Sequence, residues 1–464
     1  MYISVSGRSS GNNENVLHRS VLKHRVPGSA PGMPRAPHFT AIRNTLILMV
    51  FIDVAAFSII FPIIPDLMEY YLTRIFAAGV DDLRRVTVAG ISLSRDDVAV
   101  ILGGLLTSIW AFLQFFSAPL WGRLSDKIGR KKILMLSATG LSLAHVLWGF
   151  ATSLPVFFAY RMLGGIMGGH IGVAHAAMAD ITEKKDRTRY MGMLGAAAGS
   201  GMIIGPVMGG LLGHPAMQGV ISDIPFFHPF SLCAFASALL FAVNALFLIR
   251  MPETRKNHRM DEAVEYTGLN LRLDVPIPGF RLLALLNFIY CFSLAGVELL
   301  LPYFYKQRYD LPPSSIGMVF LFIGSVMVAA QIMLIPFLLR HMSEKTMILA
   351  GFMIIPVPLA LCVNVAPEMA YSLAYIFPVA LGASVIGPAV MGTTSHLVPP
   401  DRQGHSLGIL TSYGSLAYAT GPLITSALYG ATGLDSAAII SSCLFLLGAG
   451  LATRIGGTQK SSTA

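Results

Sequence analysis

The segment GRLSDKIGRKKIL, residues Gly122 to Leu134, is the stretch that decides the fold class. It holds five basic residues, two glycines and an aspartate, and long apolar stretches stand on either side. Helices that cross a bilayer need about 20 consecutive apolar residues, and the cytoplasmic loops between them are rich in lysine and arginine. The segment therefore predicts a short cytoplasmic loop between two membrane helices.

The composition extends this interpretation to the whole chain. Of its 464 residues, 54% are apolar and only 12% are charged, whereas soluble proteins carry roughly 25% charged residues. The sequence predicts an all-α membrane protein with twelve transmembrane helices. The predicted spans are 42–65, 98–121, 132–153, 155–179, 189–213, 227–250, 279–302, 314–338, 346–366, 370–394, 405–430 and 434–455.

The distribution of basic residues orients these spans. With both termini in the cytoplasm, 26 of the 33 lysines and arginines lie in or beside inner segments, and six lie in outer loops. This asymmetry predicts cytoplasmic termini. The long polar inner loop then divides the spans six and six. The predicted divisions are a disordered basic cytoplasmic tail 1–41, an N-terminal bundle 42–250, a cytoplasmic linker loop 251–278, a C-terminal bundle 279–455 and a cytoplasmic tail 456–464.

The two predicted bundles share a repeated segment. DRTRYMGMLGAAAGSGMIIGP runs from Asp186 to Pro206, and DRQGHSLGILTSYGSLAYATGP runs from Asp401 to Pro422. Each places an Asp-Arg pair ahead of a glycine-rich helix and a Gly-Pro pair near its end. The repeat predicts two pseudo-symmetric halves with a substrate site near the midplane between them.

These motifs resemble those of the major facilitator superfamily. The defining positions of its signature loop are matched by Gly122, Leu124, Asp126, Gly129, Arg130 and Lys131. GMIIGPVMGG in span five matches the pattern typical of the antiporter branch, and FIDVAAFSIIFPIIPDL in span one is similar to the first helix of tetracycline-type drug:proton antiporters. YRMLGGIMGG in span four is similar to the R-x-x-x-G helix of the superfamily. The corresponding loop of the second half, LLRHMSEKTMIL, lacks the Asp/Gly/Arg set.

The resemblance implies a major facilitator fold and a secondary active transporter that works by alternating access. We expect antiport of protons against a small amphiphilic organic solute or drug, in the direction of export. A symporter or uniporter of an organic anion or metabolite is one alternative, and a non-transporting receptor or scaffold on the same fold is another. Without Walker A, GxSG, paired-Asp or HExxH patterns, neither ATP hydrolysis nor an enzyme is expected, and no metal or cofactor is predicted.

Three charged residues lie well inside the predicted spans: Asp53, Arg161 and Glu298. An ionisable group in hydrocarbon costs several kcal/mol, so each is a candidate for function. The predicted spans place Asp53 and Arg161 within about 5 Å of the same depth. We expect Asp53 to carry the proton and the permanently charged Arg161 to modulate it, and the resemblance implies the same pair. Glu298 lies near the outer end of span seven, where it either binds a cationic solute or is solvated at the membrane edge.

Other residues receive weaker assignments. Asp126 and Arg130 can form an ion pair that latches the inner face, while Lys131 anchors the loop at the membrane surface. The small residues of span five predict close packing against the other half near the pore; they are Gly201, Gly205, Pro206, Gly209 and Gly210. Polar candidates for the substrate cavity are Gln114, His170, Asn287 and Gln331.

The expected partners are a small-molecule substrate, protons and the lipid bilayer. The chain is expected to be a monomer and not to bind nucleic acid, because its basic residues flank membrane spans. The membrane is a plasma or organellar one, or the inner membrane if the protein is bacterial.

Overall fold

The structure is a computed structural model that describes residues 37–77, 86–88, 91–183, 186–221, 224–254, 277–364, 368–398 and 403–455. Most of the predicted N-terminal tail, most of the linker loop and the C-terminal tail lie outside the described residues. So do Asp401 and Arg402 of the repeated segment.

The first half contains nine helices and one small hairpin within the described residues. The helices are α1 (Pro37–Ser58), α2 (Ile64–Ala77), α3 (Arg95–Ile128), α4 (Arg130–Gly149), α5 (Leu154–Met167), α6 (Ile171–Ile181), α7 (Arg187–Leu212), α8 (Pro215–Ile221) and α9 (Ser231–Arg250). Strands β1 (Val86–Val88) and β2 (Ile91–Leu93) pair antiparallel in the loop between α2 and α3. The hairpin is the one addition to the predicted all-α class in the described residues.

The second half is helical throughout its described residues. Its helices are α10 (Phe280–Tyr309), α11 (Pro313–Ala329), α12 (Ile335–His341), α13 (Glu344–Ile354), α14 (Pro356–Asn364), α15 (Met369–Leu397) and α16 (Gln403–Ala452). A π-helical turn, Ala330–Leu334, joins α11 to α12.

Twelve crossings follow from these elements. Ten helical stretches among the described residues are long and apolar enough to cross a membrane. One of them, within α16, holds two crossings, because the chain turns at Gly433, whose φ of 82° favours glycine. The twelfth crossing is α5 plus α6, which are separated by the short 3₁₀ turn Gly168–His170. The prediction of twelve membrane helices is confirmed.

The bundle has two ends, which we name by their landmarks. The hairpin side carries β1 and β2, and the signature side carries the loop at Gly129. On the hairpin side, one apolar core contains residues of both halves, including Leu67 of the first half and Tyr303 of the second. On the signature side, the core around Leu46 and Leu134 contains residues of the first half alone. The two halves therefore meet on the hairpin side.

Helix α7 shows where the halves separate. A Cβ atom at Gly210 would lie only 2.6 Å from the carbonyl oxygen of Pro313. A Cβ atom at Gly317 would lie equally close to the carbonyl oxygen of Pro206. The same face of α7 is uncovered toward the signature side. No described atom lies within 4 Å of a Cβ position at Gly192, Gly195 or Gly199. A space between the halves thus opens toward the signature side.

Candidate functional site

A buried pair of titratable side chains, Asp53 and His170, lies within the first half. The Asp53 side chain belongs to α1, and its residue is 5% exposed. Its Oδ1 lies 3.1 Å from Nε2 of His170, which is fully buried. The Nδ1 atom of the same ring donates a hydrogen bond to the Met167 carbonyl oxygen at 3.2 Å. The aspartate predicted to carry a proton therefore has a titratable partner.

His170 stands at the break between α5 and α6. Gly169 packs so close to α3 that a Cβ atom would lie 2.6 Å from Ser117 Oγ and 2.7 Å from the Ala118 nitrogen. Gln114 of α3 donates from Nε2 to the Gly168 carbonyl oxygen at 3.0 Å. Such side-chain donors satisfy backbone groups that an interrupted helix leaves free in the membrane. The predicted cavity residue Gln114 is thus a support for the His170 turn.

Arg161 does not pair with Asp53 in this structure. The residue is 2% exposed, and its guanidinium lies 5.5–5.7 Å from the ring centroids of Trp110, Phe157 and Tyr160. Within the described chain, it forms no ion pair with an acidic side chain, and its buried Nε has no hydrogen-bond partner. Arg161 precedes His170 by nine residues, or about 13 Å of helix. The estimate of similar depth was wrong, because α1 and α2 continue well beyond the predicted first span.

The signature loop is held by four acidic or hydroxyl side chains. Gly129 has a φ of 109°, a conformation that side chains rarely adopt. Arg130 forms the predicted ion pair with Asp126 at 2.6 Å and a second one with Asp180 of α6 at 3.1 Å; it also donates to Ser125 Oγ. The Glu253 carboxylate accepts from the backbone nitrogen of Arg130 at 2.8 Å.

Lys131 completes this network. Its backbone nitrogen also donates to Glu253, and its Nζ donates to the Ile249 carbonyl oxygen at 2.6 Å. The partners named here belong to the first half or, for Glu253, to the start of the linker, and no described atom lies within 4 Å of a Cβ position at Gly122. These contacts fix the shape of the loop and tie it to α6 and to the segment after α9. Asp180 and Glu253 were not among the predicted residues, because their contacts join segments remote in sequence.

The glycine face of α7 corrects a prediction. A Cβ atom at Gly201 would lie only 2.6 Å from the Phe51 carbonyl oxygen. Gly205 and Gly209 face the carbonyl oxygens of Ala55 and Ile59 in the same way. All three glycines pack on α1 of their own half. Helix α7 does pack against the other half, as predicted, but through Pro206 and Gly210 and not through these three glycines.

The second half contributes three predicted polar residues. Asn287 is buried and donates to the Leu410 carbonyl oxygen at 3.0 Å, so it ties α10 to α16. Glu298 is half-buried on α10 beside Tyr290 and Tyr418, without a hydrogen bond or ion pair to another described residue. Gln331 is exposed on the π-helical turn. That Glu298 and Gln331 contact a solute stays a prediction.

An ion pair between the halves was not predicted. Lys306 Nζ of α10 lies 3.0 Å from Asp66 Oδ1 of α2, on the hairpin side. Each residue follows a proline by four positions, Pro62 in the first half and Pro302 in the second. The two residues therefore occupy equivalent positions in the first membrane crossing of each half. This shared spacing is the feature of the sequence from which the pair could have been predicted. Nearby, Tyr303 donates to the Ala99 carbonyl oxygen at 3.0 Å, which also joins the halves.

Comparison with known families agrees with this architecture. The sequence profile of the Major Facilitator Superfamily matches residues 46–422 of this chain, and a second match covers residues 283–458. The chain belongs to the major facilitator superfamily. It is therefore a membrane transporter and not an enzyme, as the resemblance implied.

Relatives within the superfamily cover most of the chain. "Major facilitator superfamily domain-containing protein 10" of Mus musculus is 28% identical over 454 residues, which cover 90% of this chain and 94% of that protein. The class C tetracycline resistance protein of Escherichia coli is 30% identical over 368 residues, which cover 75% of this chain and 84% of that protein.

Solved structures of the superfamily share the fold. The structure of the human organic anion transporter MFSD10 (TETRAN) matches with a TM-score of 0.65 and 25% identity, covering 90% of this chain and all of that one. A D-xylose-proton symporter matches with a TM-score of 0.73 at 14% identity, covering 92% of this chain and all of that one. The latter supports the fold alone.

Proposed function

We propose that this transporter exchanges protons for a small amphiphilic organic solute and exports the solute from the cytoplasm. The observation that carries the proposal is the Asp53–His170 pair, two titratable groups buried together in a membrane helix bundle. Ionisable residues at such depth are costly and serve proton relays or substrate pathways in membrane proteins. Likeness to tetracycline resistance proteins over most of the chain supports the drug-like class of solute.

We further propose that the signature side faces the cytoplasm. Five basic residues of the loop lie there, in keeping with the positive-inside rule. The space between the halves then opens inward, and contacts at Asp66–Lys306 and Tyr303 close the outer side. Rocking of the halves about the central site would expose it to each side in turn.

The test uses purified protein in liposomes with an imposed pH gradient. The probes are tetracycline, cationic rhodamine 6G and anionic fluorescein. Wild type is expected to accumulate at least one probe against its gradient, whereas Asp53→Asn retains only downhill exchange of that probe. Asp435→Asn, which removes an exposed carboxylate, is the matched control and keeps the wild-type behaviour. Uphill transport by Asp53→Asn at the wild-type rate would contradict the proposal.

A second candidate is transport of an organic anion. Two observations favour it: the likeness to the solved human organic anion transporter, and the lack of an acidic partner for Arg161 within the described chain. A buried cation without a counter-ion attracts an anionic ligand. Preferred transport of fluorescein, with loss of its affinity in Arg161→Gln, would select this candidate over export of cationic or neutral solutes.

A further inference from the structure

We propose that Asp53 and His170 bind the transported proton as one unit, with the proton carried on the His170 ring. This inference rests on the proposed function and adds a second residue to the coupling site. The hydrogen bonds of the His170 imidazole support a shared proton, because an aspartate that carried the proton alone would not need this ring beside it.

Both ring nitrogens of His170 face acceptors. Nδ1 lies 3.2 Å from the Met167 carbonyl oxygen, and Nε2 lies 3.1 Å from Asp53 Oδ1. A neutral imidazole has one donor and one acceptor nitrogen, so it satisfies only one of these contacts. Two donors exist only in the protonated ring. The alternative is a proton on the Asp53 carboxyl, but imidazole is the more basic group in water. The geometry therefore fits an imidazolium beside a carboxylate.

Charge balance distinguishes the two states of the pair. With the proton bound, imidazolium and carboxylate together carry no net charge; without it, the pair carries one negative charge. An unbalanced charge in a buried site is strongly unfavourable. The proton-bound state is therefore stable while the site is closed to water. Release of the proton requires access to solvent or the arrival of a compensating cation.

Other side chains around the turn do not replace this partner. On α3, Gln114 is neutral and bonds to the Gly168 carbonyl oxygen, and on α4, Ser137 donates to the Met167 carbonyl oxygen. His145 of α4 and His175 of α6 bond to carbonyl oxygens of their own helices. Arg161 of α5 lies among aromatic rings. Among the described residues, Asp53 is thus the acidic side chain that His170 contacts.

Infrared difference spectroscopy tests the shared proton without any solute. In wild type at about pH 7, Asp53 is expected to remain a carboxylate, because His170 carries the proton. In His170→Gln, Asp53 must take up the proton itself. A carboxylic C=O band should then appear, and it should vanish in the double variant His170→Gln/Asp53→Asn. His170→Asn serves as a second substitution if the glutamine variant does not fold.

His175→Gln is the matched control, since it removes a histidine that contacts no carboxylate among the described residues, and its spectrum should equal that of wild type. The same variants are then compared in vesicles. His170→Gln is expected to shift the pH profile of probe uptake, and His175→Gln is not. A His170→Gln spectrum identical to wild type would overturn the shared proton. Absence of proton-driven uptake by wild type would instead contradict the proposed function.

Discussion

Three buried histidines show how hydrogen-bond partners decide the charge of the same side chain. His145 donates from Nδ1 to the Leu141 carbonyl oxygen and accepts from the Tyr160 hydroxyl, so the neutral ring is satisfied. His228 donates from Nε2 to a carbonyl oxygen and accepts from a backbone N–H group. His170 faces two acceptors. Of these three, His170 is the ring whose surroundings favour a proton.

His228 lies between α8 and α9, ahead of the membrane helix that begins at Ser231, and its burial makes stability depend on pH. Burial lowers the pKa of His228 to about 4, because a charged ring would lose its hydration and the Phe230 N–H bond. The unfolded chain, with an ordinary histidine pKa near 6.5, binds a proton first as the pH falls. The stabilising contribution of His228 is therefore present above pH 6.5 and is lost as the pH falls toward 4.

The measurement is thermal unfolding of wild type and His228→Gln at pH 7 and pH 5. The stability advantage of wild type should shrink on acidification by on the order of 2 kcal/mol, at about 1.4 kcal/mol per pH unit below 6.5. His214→Gln, at an exposed histidine, is the control and should show no such change. An advantage that is constant across this range would show that His228 is not kept neutral by the fold.

Glu253 caps the start of α4. Its carboxylate accepts from the first backbone nitrogens of α4, where the helix dipole favours negative charge. Glu253→Gln should lower the unfolding free energy by about 0.5–1 kcal/mol at low salt, and by less at high salt. Glu368→Gln is the control, since Glu368 also precedes a helix but its side chain caps no N–H group. Equal losses in both variants would contradict the capping role.

The sequence predicted several functional residues and the Asp126–Arg130 pair, but not the partner of Asp53. Asp53 stood out because a charge within an apolar span is costly, and Asp126 and Arg130 are four residues apart along the chain. The pairing of Asp53 with His170 depends on where each helix lies along the membrane normal. Hydropathy does not give the position of a helix along the membrane normal, because helices such as α2 and α10 continue past the apolar segment.

At the scale of elements, breaks and close contacts position the site. The Gly168–His170 turn orients the His170 ring toward α1, and α3 side chains hold that turn. Glycine spacing predicted that α7 packs closely on a neighbour. The prediction named the other half as the neighbour of these glycines, but the spacing alone cannot select it, since the same spacing suits any helix partner. The neighbour is α1, so the glycine face of α7 supports the helix that carries Asp53.

Helix α7 offers a matched pair of substitutions. A Cβ atom at Gly209 would overlap the Ile59 carbonyl oxygen, whereas no described atom lies near a Cβ at Gly199. Gly209→Ala should lower stability by about 1–3 kcal/mol through overpacking. Gly199→Ala should be neutral or stabilising by up to about 1 kcal/mol, because alanine favours the helix. Thermal unfolding in detergent measures both, and equal effects would contradict the close contact of α7 with α1.

At the scale of the whole molecule, the two sides of the bundle are held differently. The hairpin side has a shared apolar core, the Asp66–Lys306 ion pair and the Tyr303 hydrogen bond. On the signature side, the apolar core around Leu46 and Leu134 contains described residues of the first half, ending at Met251. An exporter that alternates between two states needs contacts on one side that can break while others form. The Asp66–Lys306 pair is a candidate for such a contact.

A double-mutant cycle measures that contact. Asp66→Asn and Lys306→Gln should each destabilise this conformation, and the double variant should lose less than the sum. Because the pair is partly exposed, the coupling should be about 1 kcal/mol or less, and it should fall with added salt. Lys306 with Asp310, 3.9 Å away at an exposed position, gives the control cycle with smaller coupling. Equal couplings in the two cycles would remove Asp66 as a specific partner.

Simultaneous recording of solute and proton movement shows whether Asp53 couples the two fluxes. Liposomes containing the purified transporter and a pH-sensitive dye receive each of the three probes, and both fluxes are followed. We predict that wild type moves protons in the direction opposite to at least one of the probes, and that Asp53→Asn exchanges that probe without proton movement. Proton-coupled exchange through Asp53 would be contradicted by proton movement that continues unchanged in Asp53→Asn. Probe transport by wild type without any proton movement would contradict it as well.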